Sequence, residues 1–205
     1  MIRKSLVLLA LLAAPNARAE ALTPDDQALV QRATAYLQQL ATAKGRFSQT
    51  NPRGQTVTGT FVLQRPGKAR FDYDPPSGLT IASDGHRVAV LDRRLKTIQA
   101  SPLGLTPLSL FLAKDFRLDK GVKVAKVTRS AGAFTVVATD AGKKAQGQIA
   151  LDFTASPVAL TGWTITDASG GAIRVRLSGF AASAPREAAF FVLHDPRPVG
   201  APPKL

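Results

Sequence analysis

The chain has 205 residues, with 27 Lys and Arg against 14 Asp and Glu, a formal charge of +13, and 45% hydrophobic residues. That suits one domain with a sizeable core. The absence of cysteine excludes a disulfide framework, a thiolate metal site, a cysteine nucleophile and lipidation behind a leader. The basic residues are scattered singly or in pairs (Arg93-Arg94, Lys143-Lys144), so the positive excess reads as a dispersed surface and not as a nucleic-acid site.

In chain order, the basic start (Arg3, Lys4), the apolar run Leu6 to Ala14 and Ala17-Arg18-Ala19 predict a secretory leader over 1–19, cleaved after Ala19. The run is shorter than the roughly 20 residues a membrane-spanning helix needs. The expected product is a soluble periplasmic protein. Thr23-Pro24-Asp25-Asp26 then reads as a capped helix start, and Leu29, Ala33, Tyr36, Leu37 and Leu40 carry an apolar stripe at helical spacing. A helix over about 24–43 is predicted.

From Gly45 the period changes to two. Strands are expected near 45–50, 56–64, 69–74, 79–83, 87–92 and 96–100. Others follow near 122–128, 133–139, 146–153, 158–166, 172–180 and 189–193. Short Gly and Pro turns between them predict an antiparallel meander. In the second and third strands Phe61 and Leu63 share one face, as do Ala69, Phe71 and Tyr73; Arg70, Asp72 and Asp74 lie on the other. Arg65 stands at the end of the second strand, before the turn Pro66-Gly67.

One helix interrupts the series, over 106–114: Thr106 caps it, Pro107 opens it, and Leu108, Leu110, Phe111 and Leu112 make it very apolar. It is either a plug filling the core at a sheet crossover or a lid over an apolar cavity. Residues 196–205, with four prolines, read as an extended tail, leaving 20–195 as the folded domain.

The sequence holds no G-x-S-x-G, P-loop or dinucleotide fingerprint. His86 and His194 lie in no metal-ligand spacing and beside no nucleophile. Asp72, Asp74, Asp84 and Asp92 read as solvated carboxylates on polar faces or in turns, with a glycosidase-like acid pair the alternative. No catalytic residue, metal site or cofactor is assigned, and a non-enzymatic protein that binds something apolar is expected.

An ordered set of short motifs resembles the periplasmic outer-membrane lipoprotein carrier family, LolA. It comprises Phe47-Ser48-Gln49, Gly59-Thr60-Phe61 leading to Arg65-Pro66-Gly67, Phe71-Asp72-Tyr73, Ser83-Asp84-Gly85, Thr106-Pro107-Leu108, Trp163 with Thr164-Ile165-Thr166-Asp167, and Phe190-Phe191. Tyr73 stands where the family frequently has Trp.

The resemblance implies a mainly β (α+β) fold: a curved, incomplete antiparallel barrel of about eleven strands, wrapped over the long helix and closed by short lid helices. It implies a monomeric carrier that takes acylated lipoproteins from an inner-membrane ATP-driven transporter and passes them to an outer-membrane receptor lipoprotein. Arg65 matches the family arginine that latches the lid; the alternative is an arginine that snorkels into water. Phe47, Phe61, Leu63, Phe71, Tyr73, Ile81, Leu108, Phe111 and Leu112 would line the lipid cavity. Relatives of this fold also include sensors and carriers of other lipids; a lipid- or glycan-acting enzyme is the competitor from another class.

Overall fold

The computed structural model describes residues 21–106, 108–112, 122–142 and 146–197. The leader, Pro107, the end of the predicted lid helix, Lys143-Lys144 and the tail from 198 lie outside the described residues.

Helix α1 (Pro24–Gln39) begins as the sequence predicts. The Thr23 hydroxyl accepts from Asp26 N (3.1 Å), and the Asp26 carboxylate accepts from Thr23 N (3.2 Å), which satisfies two of the free donors at the helix start. The helix is four residues shorter than predicted. Leu40 N turns back onto the Leu37 and Tyr36 carbonyls, and from Thr42 the backbone pairs with the second strand. Sheet pairing overrides the helical spacing there.

Eleven strands follow: β1 (Thr42–Thr50), β2 (Thr56–Gln64), β3 (Lys68–Tyr73), β4 (Leu79–Asp84), β5 (Arg87–Asp92), β6 (Thr97–Pro102), β7 (Val122–Ser130), β8 (Ala133–Asp140), β9 (Gln148–Ala155), β10 (Val158–Thr166) and β11 (Ala172–Ala181). A 3-10 turn (Leu103–Leu105) and helix α2 (Leu108–Leu112) lie between β6 and β7. The strands form one sheet in the order β6-β5-β4-β3-β2-β1-β11-β10-β9-β8-β7. Every neighbour is antiparallel.

The first six strands meander outward from β1, the chain crosses over through α2, and the last five meander back so that β11 lands on β1. Edges β6 and β7 do not meet, and the sheet stays open. Lys123 and Lys126 on β7, with a register shift between Val124 and Lys126, discourage a further strand from adding there.

The period-two reading holds where it was made. Phe61, Leu63, Ala69, Phe71 and Tyr73 are buried on the concave side, and Arg70 and Asp72 lie on the other face. Concave residues of both sheet halves form the main core with Ala33 and Leu37 of α1. Tyr36 meets Phe153 edge-on at 6.2 Å, and Arg129 of β7 pairs with Asp26 at 2.6 Å, so α1 is held along its length.

The strand expected over 189–193 is absent. Ala188–Phe191 is a 3-10 turn whose donors stay local, with Phe190 N on Glu187 O (3.0 Å) and Val192 N on Ala189 O (3.1 Å). Phe191 and Leu193 are buried there against the outer face, where Ala82, Ala89 and Leu91 make a second small core with Leu193.

Candidate functional site

On the concave side, β3, β4 and β5 face β10 and β11 across a cavity of about 270 Å³. Phe71 and Tyr73 (β3), Ile81 (β4), Val88 and Val90 (β5), Trp163 and Ile165 (β10), Ile173 and Val175 (β11) and Leu108 of α2 give it an apolar wall, joined by Gln49 and Thr106. Among the described residues no grouping of His, Cys, Asp or Glu could hold a metal ion, and no helix is long and apolar enough to cross a membrane.

The nine residues expected to line the cavity divide in two. Phe71, Tyr73, Ile81 and Leu108 are on its wall. Phe47, Phe61, Leu63, Phe111 and Leu112 are packed beside it, each at most 2% exposed. The rings form one cluster: Phe47 meets Phe71 edge-on at 5.4 Å and Tyr73 at 4.9 Å, Phe71 meets Trp163 at 5.9 Å, and Trp163 stacks on Phe111 of α2 at 5.4 Å. Two glycines make room for it. A Cβ on Gly59 would lie 2.6 Å from the Phe47 ring and 2.3 Å from Asp72 O, and one on Gly45 would lie 2.8 Å from the Phe61 ring and 2.7 Å from Ser178 O.

Arg65 lies where the end of α1 meets α2. Its backbone N donates to Ala41 O (2.8 Å), its Nη1 donates to Leu37 O in the last turn of α1, and its guanidinium carbon lies 6.0 Å from the Phe111 ring centroid. The site suits a guanidinium, whose fork can serve a helix-end carbonyl while its face lies over a ring. Burial pushes its pKa below the usual arginine range, so the side chain is not simply solvated.

The turn beside it supports α2 as well. Gly67 N donates to Leu112 O (2.7 Å), and the buried Ser83 hydroxyl donates to Gly67 O (2.6 Å). Gly67, at φ 77°, sits so close to Gly85 that a Cβ would come within 2.7 Å of its Cα. The Arg65-Pro66-Gly67 and Ser83-Asp84-Gly85 motifs, far apart in sequence, are therefore one support under α2.

The carboxylates lie elsewhere. Asp72 accepts a forked pair from Arg70 (2.8 and 3.0 Å) and the Thr80 hydroxyl (3.0 Å) on the outer face. Burial works against its ionisation, but the bonds and charge of Arg70, with Thr80 and Arg93, outweigh it and hold the carboxyl below its usual value. Asp74 is also held low, by the Thr58 hydroxyl and by Arg46. Asp84 and Asp92 accept backbone N–H groups in turns. A glycosidase-like pair needs both carboxyls beside the substrate, and none of these is on the cavity wall. His86 and His194 are exposed.

Tyr73 is the one ionisable cavity liner among the described residues, and burial pushes it up to about 12 against the lowering effect of its bond to Gln49. It is neutral at physiological pH.

Sequence reasoning missed the far wall: Trp163, Ile165, Ile173 and Val175, with Val88 and Val90. Alternation carries no signal for which strands oppose each other across a curved sheet, and the continuous apolar run Val88-Ala89-Val90-Leu91 marks neither face of β5.

These observations define a class: an open, curved sheet with a small apolar cavity under a short helix that packs beside a buried arginine. The family model of the outer membrane lipoprotein carrier protein LolA matches residues 38–194. The chain is 30% identical to the outer-membrane lipoprotein carrier protein of Leptothrix cholodnii over 166 residues, 76% of each chain. It is 33% identical to that of Methylibium petroleiphilum over 96 residues, 40% of this chain and 47% of that one. A solved domain from Vibrio parahaemolyticus shares the fold, with a TM-score of 0.50 at 8% identity over 80% of this chain and 94% of that one. The chain belongs to the outer-membrane lipoprotein carrier (LolA) family.

Proposed function

We propose that the protein is a periplasmic carrier that takes the acyl chains of lipoproteins into its cavity and ferries them from the inner to the outer membrane. The apolar cavity beneath α2, in a chain of this family, is the observation that supports the reading. In this scheme residues 1–19 direct export with cleavage after Ala19, residues 20–195 are the carrier domain and 196–205 a tail. An inner-membrane ATP-driven transporter loads the protein, and an outer-membrane receptor lipoprotein unloads it.

Arg65 acts as the latch. It ties the end of α1 to the ring of Phe111, so closing α2 over the empty cavity competes with cargo. Phe71, Tyr73, Ile81 and Leu108 meet the acyl chains first. Phe47, Phe61, Leu63, Phe111 and Leu112 join the lining as α2 moves away. A carrier role without catalysis is the reading in keeping with the family.

The test is depletion of the protein in its host followed by membrane fractionation. Outer-membrane lipoproteins should accumulate in the inner membrane. Their continued arrival at the outer membrane would overturn the reading.

A further inference from the structure

We infer that Gln49, braced by Tyr73, is a carbonyl-binding group at the mouth of the cavity, taking the ester or amide carbonyl at the head of an inserted acyl chain. The inference rests on the carrier reading and names what the cavity recognises besides hydrocarbon. Four side chains on the wall carry polar groups: Gln49, Tyr73, Thr106 and Trp163, whose indole is 2% exposed and stacked on Phe111 within the ring cluster, away from the exposed rim. The Thr106 hydroxyl is engaged, donating to Leu103 O at 2.8 Å. Tyr73 donates to Gln49 Oε1 at 2.7 Å, and among the described residues this is the side-chain bond of Gln49. An amide and a phenol hold three hydrogens between them, and their mutual bond uses one. Whichever of the two donates, an amide N–H is left over.

Its position gives that donor a purpose. Gln49 pairs with Val57 on β2 and with Val175 on β11, and the adjoining apolar side chains are half in water: Val57 is 39% exposed, Ile173 38%. The spare N–H therefore stands just inside an apolar rim. An acyl chain attached to a polar body enters methyl end first, since the body stays in water. Its carbonyl comes to rest at the mouth, where an amide donor can meet it.

A neutral donor suits the task. It can stay hydrated when the cavity is empty, whereas a buried unpaired Lys or Arg would be far costlier to desolvate. The brace is well fixed: Tyr73 is 8% exposed, with its ring edge-on to Phe47 at 4.9 Å.

The experiment uses the purified protein loaded with the apolar dye N-phenyl-1-naphthylamine, displaced by methyl palmitate or by hexadecyl methyl ether. These have similar chains, but the ether lacks a carbonyl. The ester should compete about 3- to 10-fold better, the range of one net hydrogen bond. Gln49→Met, close to glutamine in shape, should remove that preference, read as the ratio of ester to ether competition within each protein. The ester carbonyl stretch of bound methyl palmitate should lie at lower wavenumber in the wild type than in the variant. Equal competition by ester and ether in the wild type overturns the inference and leaves the carrier reading standing. A preference that survives in Gln49→Met also overturns it. Dye displacement by neither ligand overturns both.

Discussion

Replacing Arg65 by leucine removes the guanidinium of the proposed latch and leaves a shorter, apolar side chain. Among the described residues, the interaction with α2 that is lost is the cation–π contact with Phe111 at 6.0 Å, worth about 0.5–1 kcal/mol at such sites; the bond to Leu37 O lies on the α1 side and positions the guanidinium. Leucine recovers part of this, because the guanidinium is held against the penalty of burial that depresses its pKa. A loss of about 0.5–1 kcal/mol should shift the lid equilibrium toward the open form by about 2- to 5-fold.

Trp163 is the single tryptophan of the chain and stacks on Phe111 at 5.4 Å, so its fluorescence reports lid position directly. It is 2% exposed. In Arg65→Leu its emission should move to longer wavelength and become more accessible to acrylamide, with the circular dichroism of the sheet unchanged. The same variant should retain loaded lipoprotein and hand it on poorly. Arg65→Lys, which keeps the charge but not the planar fork, should fall between the two. Unchanged quenching together with unchanged cargo transfer would refute the latch.

Three further outcomes follow from the same geometry. Gly59→Ala places a Cβ 2.6 Å from the Phe47 ring and 2.3 Å from a backbone oxygen, so it should destabilise the fold by about 1–3 kcal/mol in urea unfolding and displace Phe47 from Tyr73. Both tyrosines of the chain are raised by burial, Tyr73 to about 12, so phenolate absorbance of the folded protein should rise at higher pH than that of the unfolded chain, with the Tyr73 step near pH 12. A raised folded value means that the stability from the buried neutral phenol is full below pH 10 and is lost as pH rises through about 12. Asp72 has the opposite sign: its depressed folded value contributes stability above the ordinary carboxylate pKa, lost as pH falls below it. Asp72→Asn should flatten the acid limb of the stability profile.

How much of this was legible depended on range. The faces of β2 and β3 were plain from residues 60–73, because side-chain alternation is local and one face is charged. The Thr23 cap was equally plain, since its partner Asp26 lies three residues away. The end of α1 was not, because Ala41 and Thr42 continue a helical pattern and only their pairing with Gln64 and Arg65 draws them into a strand.

Phe190 and Phe191 read as strand for a similar reason. Their aromatic character suits a strand, but Arg70 donates to Phe190 O (2.8 Å) and lies 4.8 Å over the Phe190 ring, which anchors a turn to the outer face instead. Gln49 did carry a local signal, sharing a face with Phe47. What the sequence could not supply was Tyr73 as its partner, two strands away.

The size of the cavity bears on how such a protein could release what it binds. A sixteen-carbon chain buried at roughly 0.8 kcal/mol per methylene gains about 12 kcal/mol, and three chains would exceed the ~20 kcal/mol at which non-covalent affinities saturate. The closed cavity, at about 270 Å³, falls below the ~300–1,000 Å³ of ordinary ligand pockets, so cargo needs space that α2 now fills. Exposing Phe111 and Leu112, which are 0% and 1% exposed, costs about 3–6 kcal/mol, and breaking the Arg65 contact with Phe111 about 0.5–1 more. Opening thus offsets roughly 4–7 kcal/mol of the first chain's gain, leaving a margin that a receptor with a more apolar site can overcome. Because that offset is largest while the latch holds, weakening Arg65 should tighten retention of cargo, and the handover defect expected of Arg65→Leu follows from the same arithmetic.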